Sequence, residues 1–589
     1  MNGRRLIFLL TLSLSTALAG EDRRNVRINQ LGYLPADNKI ATAFGDAALP
    51  ESFSVCDAAS GGEVWQGPVK TLSSMSWGQF TNFAELDFSS FERAGRYVAR
   101  LGEARSRPFT IGREVYAGLP DELLEFMREQ RCGYNPFLDQ TCHRLDGRTA
   151  YGPLPGGTPL DATGGWHDAG DLLKYLLTSG NATAQMLLAW RLAPAAGIFH
   201  DATLADGRPG TNGVPDILDE ARWGLEWMLK LHPAPDALYH QVADDRDHVG
   251  WRLPKDDPAD YGWGKGGARV VYFADGRPQG LKNYTSESTG IANLAGRYAA
   301  AMALAWMTFE ERDRPFAQKC LQAGIEVYGM GRTNEGVQQG NSYSAPYRYA
   351  ETTWTDDMEW GAAALFAATR QPRYLADARH YAALAGSESW MGKEQTGHYQ
   401  YYPFMNAGHY MLYEFADAEL RRTLAGYYRE GIERCVAAAG KNPYHIGVPF
   451  IWCSNNLLAA LVTQGLLYER MTGDRSYHAF ICEQRDWLLG RNPWGTSMFT
   501  GIPEEGVYPR HPHLMTTQLT GRSVRGALVD GPVYERIFKT LKGVSAAADD
   551  PFAPFQSEQA VYHDDWHDYS SNEPTMDGTA SAILMWALF

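Results

Sequence analysis

The chain is 589 residues long, 44% apolar and 12% aromatic, with 54 basic and 69 acidic side chains and a formal net charge of -15. That length exceeds one typical domain and carries apolar mass for a large core; an acidic balance without basic clusters excludes a nucleic-acid-binding surface. The 17 tryptophans and 31 tyrosines suit a carbohydrate cleft, where sugar rings stack on flat aromatics, although an aromatic core accounts for most of them.

Arg4 and Arg5 precede an apolar run from Leu6 to Leu18, and Ala17-Leu18-Ala19 precedes the charged Glu21-Asp22. This layout predicts a secretory signal peptide over residues 1–20, cleaved near Ala19 or Gly20. The run is too short to cross a bilayer and no later stretch is long enough, so the expected mature protein is soluble, secreted or periplasmic, with no membrane partner. Seven cysteines at scattered positions do not spell a disulfide framework, and their odd number leaves at least one unpaired within the chain. From Val26 to about Gly112, short apolar alternations such as Lys39 to Phe44 and Gly95 to Arg100 are broken by Gly, Pro, Asn and Asp. These predict an immunoglobulin-like β-sandwich over residues 24–112.

After Tyr116 the periodicity becomes helical, as in Ile217, Leu218, Ala221, Leu225, Met228 and Leu229. Helices are predicted over 121–131, 183–192, 216–232, 290–309, 358–369, 373–384, 419–439, 455–471, 477–489 and 579–588, about a dozen once weaker segments are counted. Long loops dense in Gly, Trp, Tyr and His separate them at 244–283, 341–355, 397–408 and 493–517, and loops of that length in a compact domain are usually functional. Helices paired around a centre, with elaborated loops at one end, predict an all-α helical barrel over residues 115–589.

Residues 164–171 read Gly164-Gly165-Trp166-His167-Asp168-Ala169-Gly170-Asp171. Glycines free the backbone for a tight loop, and two aspartates three positions apart in such a loop face one small volume, as a hydrolase needs to orient and deprotonate a water. An ordinary polar turn uses the same residue types. Near the end of the chain, Asp568-Tyr569-Ser570-Ser571-Asn572-Glu573-Pro574-Thr575-Met576-Asp577 precedes an apolar final segment, and Glu573 there reads equally as a helix-start acid.

Together with Leu489-Gly490-Arg491-Asn492-Pro493, these two loops resemble glycoside hydrolase family 9, and Val26-Arg27-Ile28-Asn29-Gln30-Leu31-Gly32-Tyr33 resembles the start of the immunoglobulin-like module in one branch of that family. The resemblance covers nearly the whole mature chain with its motifs in order. It implies an (α/α)6 barrel that hydrolyses β-linked glucan-type polysaccharides with inversion. It also implies that Asp171 is the general base, Asp168 the second carboxylate holding the water, and Glu573 the general acid. Acid and base carboxyls about 6.5–9.5 Å apart and a drier acid would suit those roles.

Cys132, Cys142, His143 and His167 form the ligand set of a structural, closed zinc site. A Cys132–Cys142 disulfide is the alternative in an exported protein; the resemblance favours zinc, which some members of this branch carry at matching positions. A metal held by His167 would brace the loop that carries Asp168. Asp356 and Asp357 match positions where the family often binds calcium, or form a helix-start acidic cluster. His248, Trp251 and His513 resemble substrate-binding positions. Two departures bear on specificity: Pro512-His513-Leu514-Met515 stands where many family cellulases have Pro-His-His-Arg, and Gly578 stands where the family has a tyrosine five residues after the acid.

The expected activity is an endo-acting β-1,4-glucanase on a polysaccharide or oligosaccharide, with xyloglucan and mixed-linkage glucan among the substrates. An exo-β-glucosaminidase on chitosan oligosaccharides and a non-catalytic carbohydrate-binding relative are the alternatives. Retention of both aspartates and of Glu573 speaks against the last.

Overall fold

The computed structural model describes residues 24–193, 197–391, 393, 396–544 and 549–589. The expected signal peptide lies outside the described residues.

In the strand Gly95–Leu101, Tyr97, Ala99 and Leu101 are buried while Arg96 is exposed, the alternation of a strand with one face on a core. Its sheet runs Gly32–Tyr33, Phe109–Ile111, Gly95–Leu101, Ser52–Asp57, Glu63–Pro68, with Ala104–Arg105 paired to the central strand. Facing it is a sheet in the order Asn25–Arg27, Ile40–Gly45, Asn82–Asp87, Lys70–Leu72. Tyr33, Phe53, Val55, Leu86 and Phe109 fill the space between them. The sandwich is not self-contained. Phe44, Trp77, Phe80 and Phe83 belong to the same apolar cluster as the helices that follow. Asn29 donates to Asp486 at 2.8 Å and Arg485 pairs with Asp37 at 2.8 Å across that seam, all four buried.

Six helices form a closed inner ring: Leu176–Leu192, Ala292–Phe309, Thr355–Thr369, Ala407–Tyr413, Ser454–Thr472 and Met576–Trp586, each against the next and the last against the first. Leu176 to Ala189 are buried without a break, as a helix enclosed on all sides requires. An outer layer packs against them: Leu124–Glu129, Asp216–Lys230, Arg314–Thr333, Pro372–Ala385, Ala418–Ala439 and His478–Leu488. This is an (α/α)6 barrel, as the resemblance implied.

Two barrel helices and one sheet depart from the sequence reading. Arg314–Thr333 carries Gly324, Gly329 and Gly331, each unfavourable in a helix by about 1 kcal/mol against alanine, although its buried residues from Ala317 to Gly331 recur at helical spacing. Packing reverses that preference: a Cβ at Gly331 would stand 2.6 Å from that of Ala295 on the inner ring. Ala407–Tyr413 is not among the expected helices and starts at the end of the loop expected over 397–408, capped by the Asn406 side chain accepting from the His409 amide. The barrel is also not purely helical. Strands Arg148–Ala150, Val270–Phe273, Tyr239–Val242 and Lys174–Tyr175 make a small sheet in that order, and the last of them begins three residues after Asp171.

Candidate active site

The loop 164–171 is shaped by its glycines and by what packs beneath it. Gly165 has φ +74°, and a Cβ there would fall 2.6 Å from the Trp227 ring, so only glycine allows the loop to sit on that indole. Trp166 is buried and donates its indole N–H to Glu220 at 2.7 Å. Past that anchor the chain turns toward the barrel mouth. Asp171 folds back to accept from the Leu173 amide at 3.0 Å, and Asp247 accepts from the intervening Leu172 amide at 2.9 Å.

Asp168 is 1% exposed. The hydroxyls of Thr178 and Tyr349 donate to its two carboxylate oxygens, and its carbonyl accepts from the Met576 amide at 2.9 Å, tying the base loop to the start of the terminal helix. Burial first, then the charges of Asp577 and Asp171, push the Asp168 carboxyl well above its usual range, against the pull of the two hydroxyls. Glu573 completes the set: its Oε1 accepts from the Gly170 amide at 2.9 Å. Burial, then Asp530 and Asp171, hold the Glu573 carboxyl far above the ordinary glutamate range.

The structure therefore brings Asp168, Asp171 and Glu573, separated by some four hundred residues, into one place. Asp171 and Glu573 line a cavity of about 680 Å³, and the buried Asp168 is held behind it by Tyr349, itself on the cavity wall. All three expected substrate contacts line the cavity as well. His248 Nε2 stands 3.6 Å from Asp171 Oδ2, and this partner raises the imidazole's proton affinity although burial opposes it. The rings of Trp251 and His513 lie 4.8 Å apart. Met515, where an arginine was looked for, also faces the cavity, and its sulfur accepts from the Arg252 amide at 3.3 Å.

Sequence reasoning missed four residues. Tyr349, which holds Asp168, lies in one of the long aromatic loops, so that loop was the available signal. Trp452 gives the cavity an indole face flanked by His398 and Tyr569, at ring separations of 5.2 and 5.7 Å. Asp247 and Asp530 were unmarked acids in loops, and nothing local distinguishes them from turn residues.

A second cluster lies directly upstream. Cys132 pairs its amide with the Gly165 carbonyl at 2.8 Å, Cys142 its amide with Gly133 at 2.9 Å, and His167 its amide with Gln130 at 2.8 Å. These backbone ties converge the four side chains: Cys132 Sγ to His143 Nδ1 is 3.6 Å, His143 Nδ1 to His167 Nε2 is 3.4 Å, and Cys142 Sγ to His167 Nε2 is 4.0 Å. All four ligand atoms lie within 4.8 Å of one another, and the two cysteines are free thiols. From this tetrad a relay of buried charges leads back to the 164–171 loop and the Leu172 amide beside Asp171. His143 Nε2 meets Asp257 at 3.2 Å, Asp257 meets Arg252 at 2.8 Å, Arg252 meets Asp247 at 2.7 Å, and Asp247 holds the Leu172 amide.

At the expected calcium position Asp357 is engaged by a buried guanidinium, while Asp356 Oδ1 is buried without a hydrogen-bond partner. Both oxygens of Asp357 accept from the Arg297 guanidinium at 2.8 Å, and Glu351 accepts from the same group. A buried guanidinium thus stands where a cation would. Among the described residues, neither of the two gatherings of three or more metal-type ligands includes Asp356 or Asp357.

A helical barrel whose loops gather an aspartate pair, a glutamate whose surroundings raise its proton affinity, and aromatic faces is a glycoside hydrolase. Comparison with known proteins agrees. The glycosyl hydrolase family 9 model matches residues 116–588, and that of the cellulase N-terminal ig-like domain matches residues 21–106. The chain belongs to glycosyl hydrolase family 9. It is 26% identical to a xyloglucan-specific endo-β-1,4-glucanase of Bacteroides ovatus, over 95% of this chain and 92% of that protein. A metagenome-derived family 9 endoglucanase of known structure superposes with a TM-score of 0.77 at 28% identity, covering 96% of this chain and 98% of the other. A Zn-binding triple mutant of another family 9 endoglucanase gives 0.74 at 25% identity, covering 94% and 99%.

Proposed function

We propose that this protein cleaves β-1,4-glucosidic bonds within glucan-type polysaccharides, with inversion at the anomeric carbon. The observation that carries the reading is the meeting of Gly170 with Glu573, which sets a protonated carboxyl beside the loop that holds Asp171. Glu573 gives its proton to the glycosidic oxygen as the C–O bond breaks. A water oriented by Asp171 and Asp168 attacks the anomeric carbon from the other face, and its proton passes to Asp171. The relatives named above are endoglucanases, one of them xyloglucan-specific, which favours a soluble or branched glucan over chitosan.

The test is direct. Purified protein is incubated with xyloglucan, mixed-linkage glucan, carboxymethylcellulose and chitosan oligomers, products are sized, and the first anomer released is identified by NMR. Internal cleavage of a glucan giving the α-anomer is expected; release of single glucosamine units, or the β-anomer, overturns the reading. Glu573→Gln and Asp171→Asn are each expected to lose about 10³-fold or more in kcat while melting as the parent does.

We further infer that Cys132, Cys142, His143 and His167 hold a structural zinc and that the protein is exported. A tetrahedral zinc with bonds of about 2.3 Å to sulfur and about 2.0–2.1 Å to nitrogen sets ligand separations of about 3.3–3.8 Å, against 3.4, 3.6 and 4.0 Å here. Asp257 on the far nitrogen of His143 supplies the outer carboxylate such ligands favour. When bound, the metal would supply rigidity to the 164–171 loop. Elemental analysis should find about one zinc per chain; a Cys132–Cys142 disulfide without zinc would falsify this assignment. Export is inferred from the Arg4 to Gly20 pattern and is checked by N-terminal sequencing of protein recovered outside the cytoplasm.

A further inference from the structure

We propose that Asp530 is a positioning residue for the general acid, a second carboxylate that keeps the proton on Glu573 until a glycosidic oxygen takes it. This rests on the acid role given to Glu573 above.

Asp530 is 3% exposed, yet it lines the same cavity as Glu573. Backbone pairing fixes the two side by side: the Asp530 amide donates to the Glu573 carbonyl at 2.7 Å, and Val529 forms a bridge with Pro574. The carboxylate's side-chain partners are neutral. The Trp452 indole N–H donates to Oδ2 at 2.8 Å and the Cys453 thiol to Oδ1 at 3.3 Å. Among the described residues no lysine, arginine or histidine forms an ion pair with it, which is unusual for a buried acid. Burial holds the Asp530 carboxyl above its usual range, but the two neutral donors favour its ionised form without cancelling its charge, so that charge, once formed, acts on the neighbouring carboxyl.

The other groups facing the pair do not replace that charge. Glu573 is faced by Asp171 and Asp168 from the base loop, by His513 across Gly170, by Tyr347 from the 341–355 loop, and by Tyr569 on its own loop. Asp530 is faced by Cys453, whose sulfur stands 3.6 Å from His398, and by Asp568 and Asp577 behind it. Lys542 also lines the cavity but forms no ion pair with either acid. Burial raises both carboxyls, and the indole and thiol oppose it at Asp530. Of the two, Asp530 has side-chain donors on both oxygens and Glu573 a single backbone amide. On this difference in donors we assign the earlier ionisation to Asp530, so that ionisation of Glu573 has to occur beside an existing charge.

The experiment is the pH profile of kcat/KM on an uncharged soluble β-glucan for the intact protein, Asp530→Asn and Asp530→Glu. A general acid loses function as it deprotonates, so it governs the basic limb. Removing the neighbouring charge lowers its proton affinity. Asp530→Asn should move the basic limb about one unit toward lower pH, cost about tenfold above the limb, and stay within about threefold of the parent below it. Asp530→Glu should keep the limb in place. A merely structural role would lower the whole profile without moving the limb, and that result overturns the proposal. Should Asp530→Asn not fold, Trp452→Phe, which removes the indole donor and so raises the proton affinity of Asp530, must move the limb in the same direction; an unmoved limb there overturns the proposal equally. Near-normal turnover in Glu573→Gln would instead remove the acid assignment itself, wherever the limb of Asp530→Asn lies.

Discussion

The amide of Gly170 donates to Oε1 of Glu573 at 2.9 Å, joining residues 403 positions apart, so the chain segment before the base directly orients the acid. A Cβ at Gly170 would lie 2.7 Å from that oxygen and 2.5 Å from the backbone carbonyl of His513, so the Glu573 side chain has to shift. Gly170→Ala is expected to lose about 10²-fold in kcat through displacement of the acid, while the melting temperature falls by only a few degrees. Unchanged kcat would show that Glu573 is oriented by other contacts.

Tyr349 is the next test of preorganisation. Its hydroxyl donates to Asp168 while its ring stacks on Tyr399 at 4.2 Å, so the phenol has little freedom to swing away. Tyr349→Phe keeps the stack and deletes the donor. On the order of tenfold or more should be lost from kcat, with KM for a glucan oligosaccharide nearly constant; a rise in KM alone would make Tyr349 a substrate contact.

Glu129 offers a prediction about stability and pH. It is 4% exposed, its Oε2 has no hydrogen-bond partner, and burial pushes its carboxyl up from 4.5 to about 7 against the pull of Thr516. The folded state thus holds a proton that the unfolded state releases earlier. The associated stability is complete below about 4.5 and is lost as pH rises through about 7. Glu129→Gln should therefore gain on the parent as pH rises, by up to about 3 kcal/mol above neutrality, and show no gain below pH 4.5. Denaturant melts at several pH values measure the difference, and a constant offset would refute the assignment.

Arg297 supplies the counter-charge of Asp357 and Glu351. Arg297→Met leaves Glu351 and Asp357 buried without their counter-charge and should cost about 3–5 kcal/mol in denaturant melts. Calcium or a calcium chelator should leave the melting temperature of the parent unchanged; a chelator-induced drop would restore the calcium reading.

Legibility in the sequence followed how locally each feature is encoded. The 164–171 loop and the Asn572-Glu573 loop could be read because glycine, aspartate and glutamate in short fixed order leave few backbone solutions. Inner helices such as Ser454–Thr472 showed through their unbroken apolar runs. Arg314–Thr333 did not, because three glycines lower its helix propensity, although its buried residues keep helical spacing. The same holds for the site. The tetrad was visible as residue types, yet its relay through Asp257, Arg252 and Asp247 depends on loop packing that no spacing encodes. The counter-charge of Asp357, Arg297, could not be read locally because it is 60 residues away on a different helix.

The seam between sandwich and barrel has a consequence for how this enzyme was put together and how it can be taken apart. Asn29 and Asp37 satisfy Asp486 and Arg485, and four sandwich aromatics complete the barrel's apolar cluster. A barrel expressed without residues 24–112 would expose that cluster and strip the Arg485–Asp486 pair of its two sandwich partners, next to the Leu489-to-Pro493 turn. The sandwich therefore acts as a missing piece of the catalytic domain's wall. The whole chain should melt in one transition, and the sandwich cannot be exchanged as a cassette unless Asp486 and Arg485 change with it.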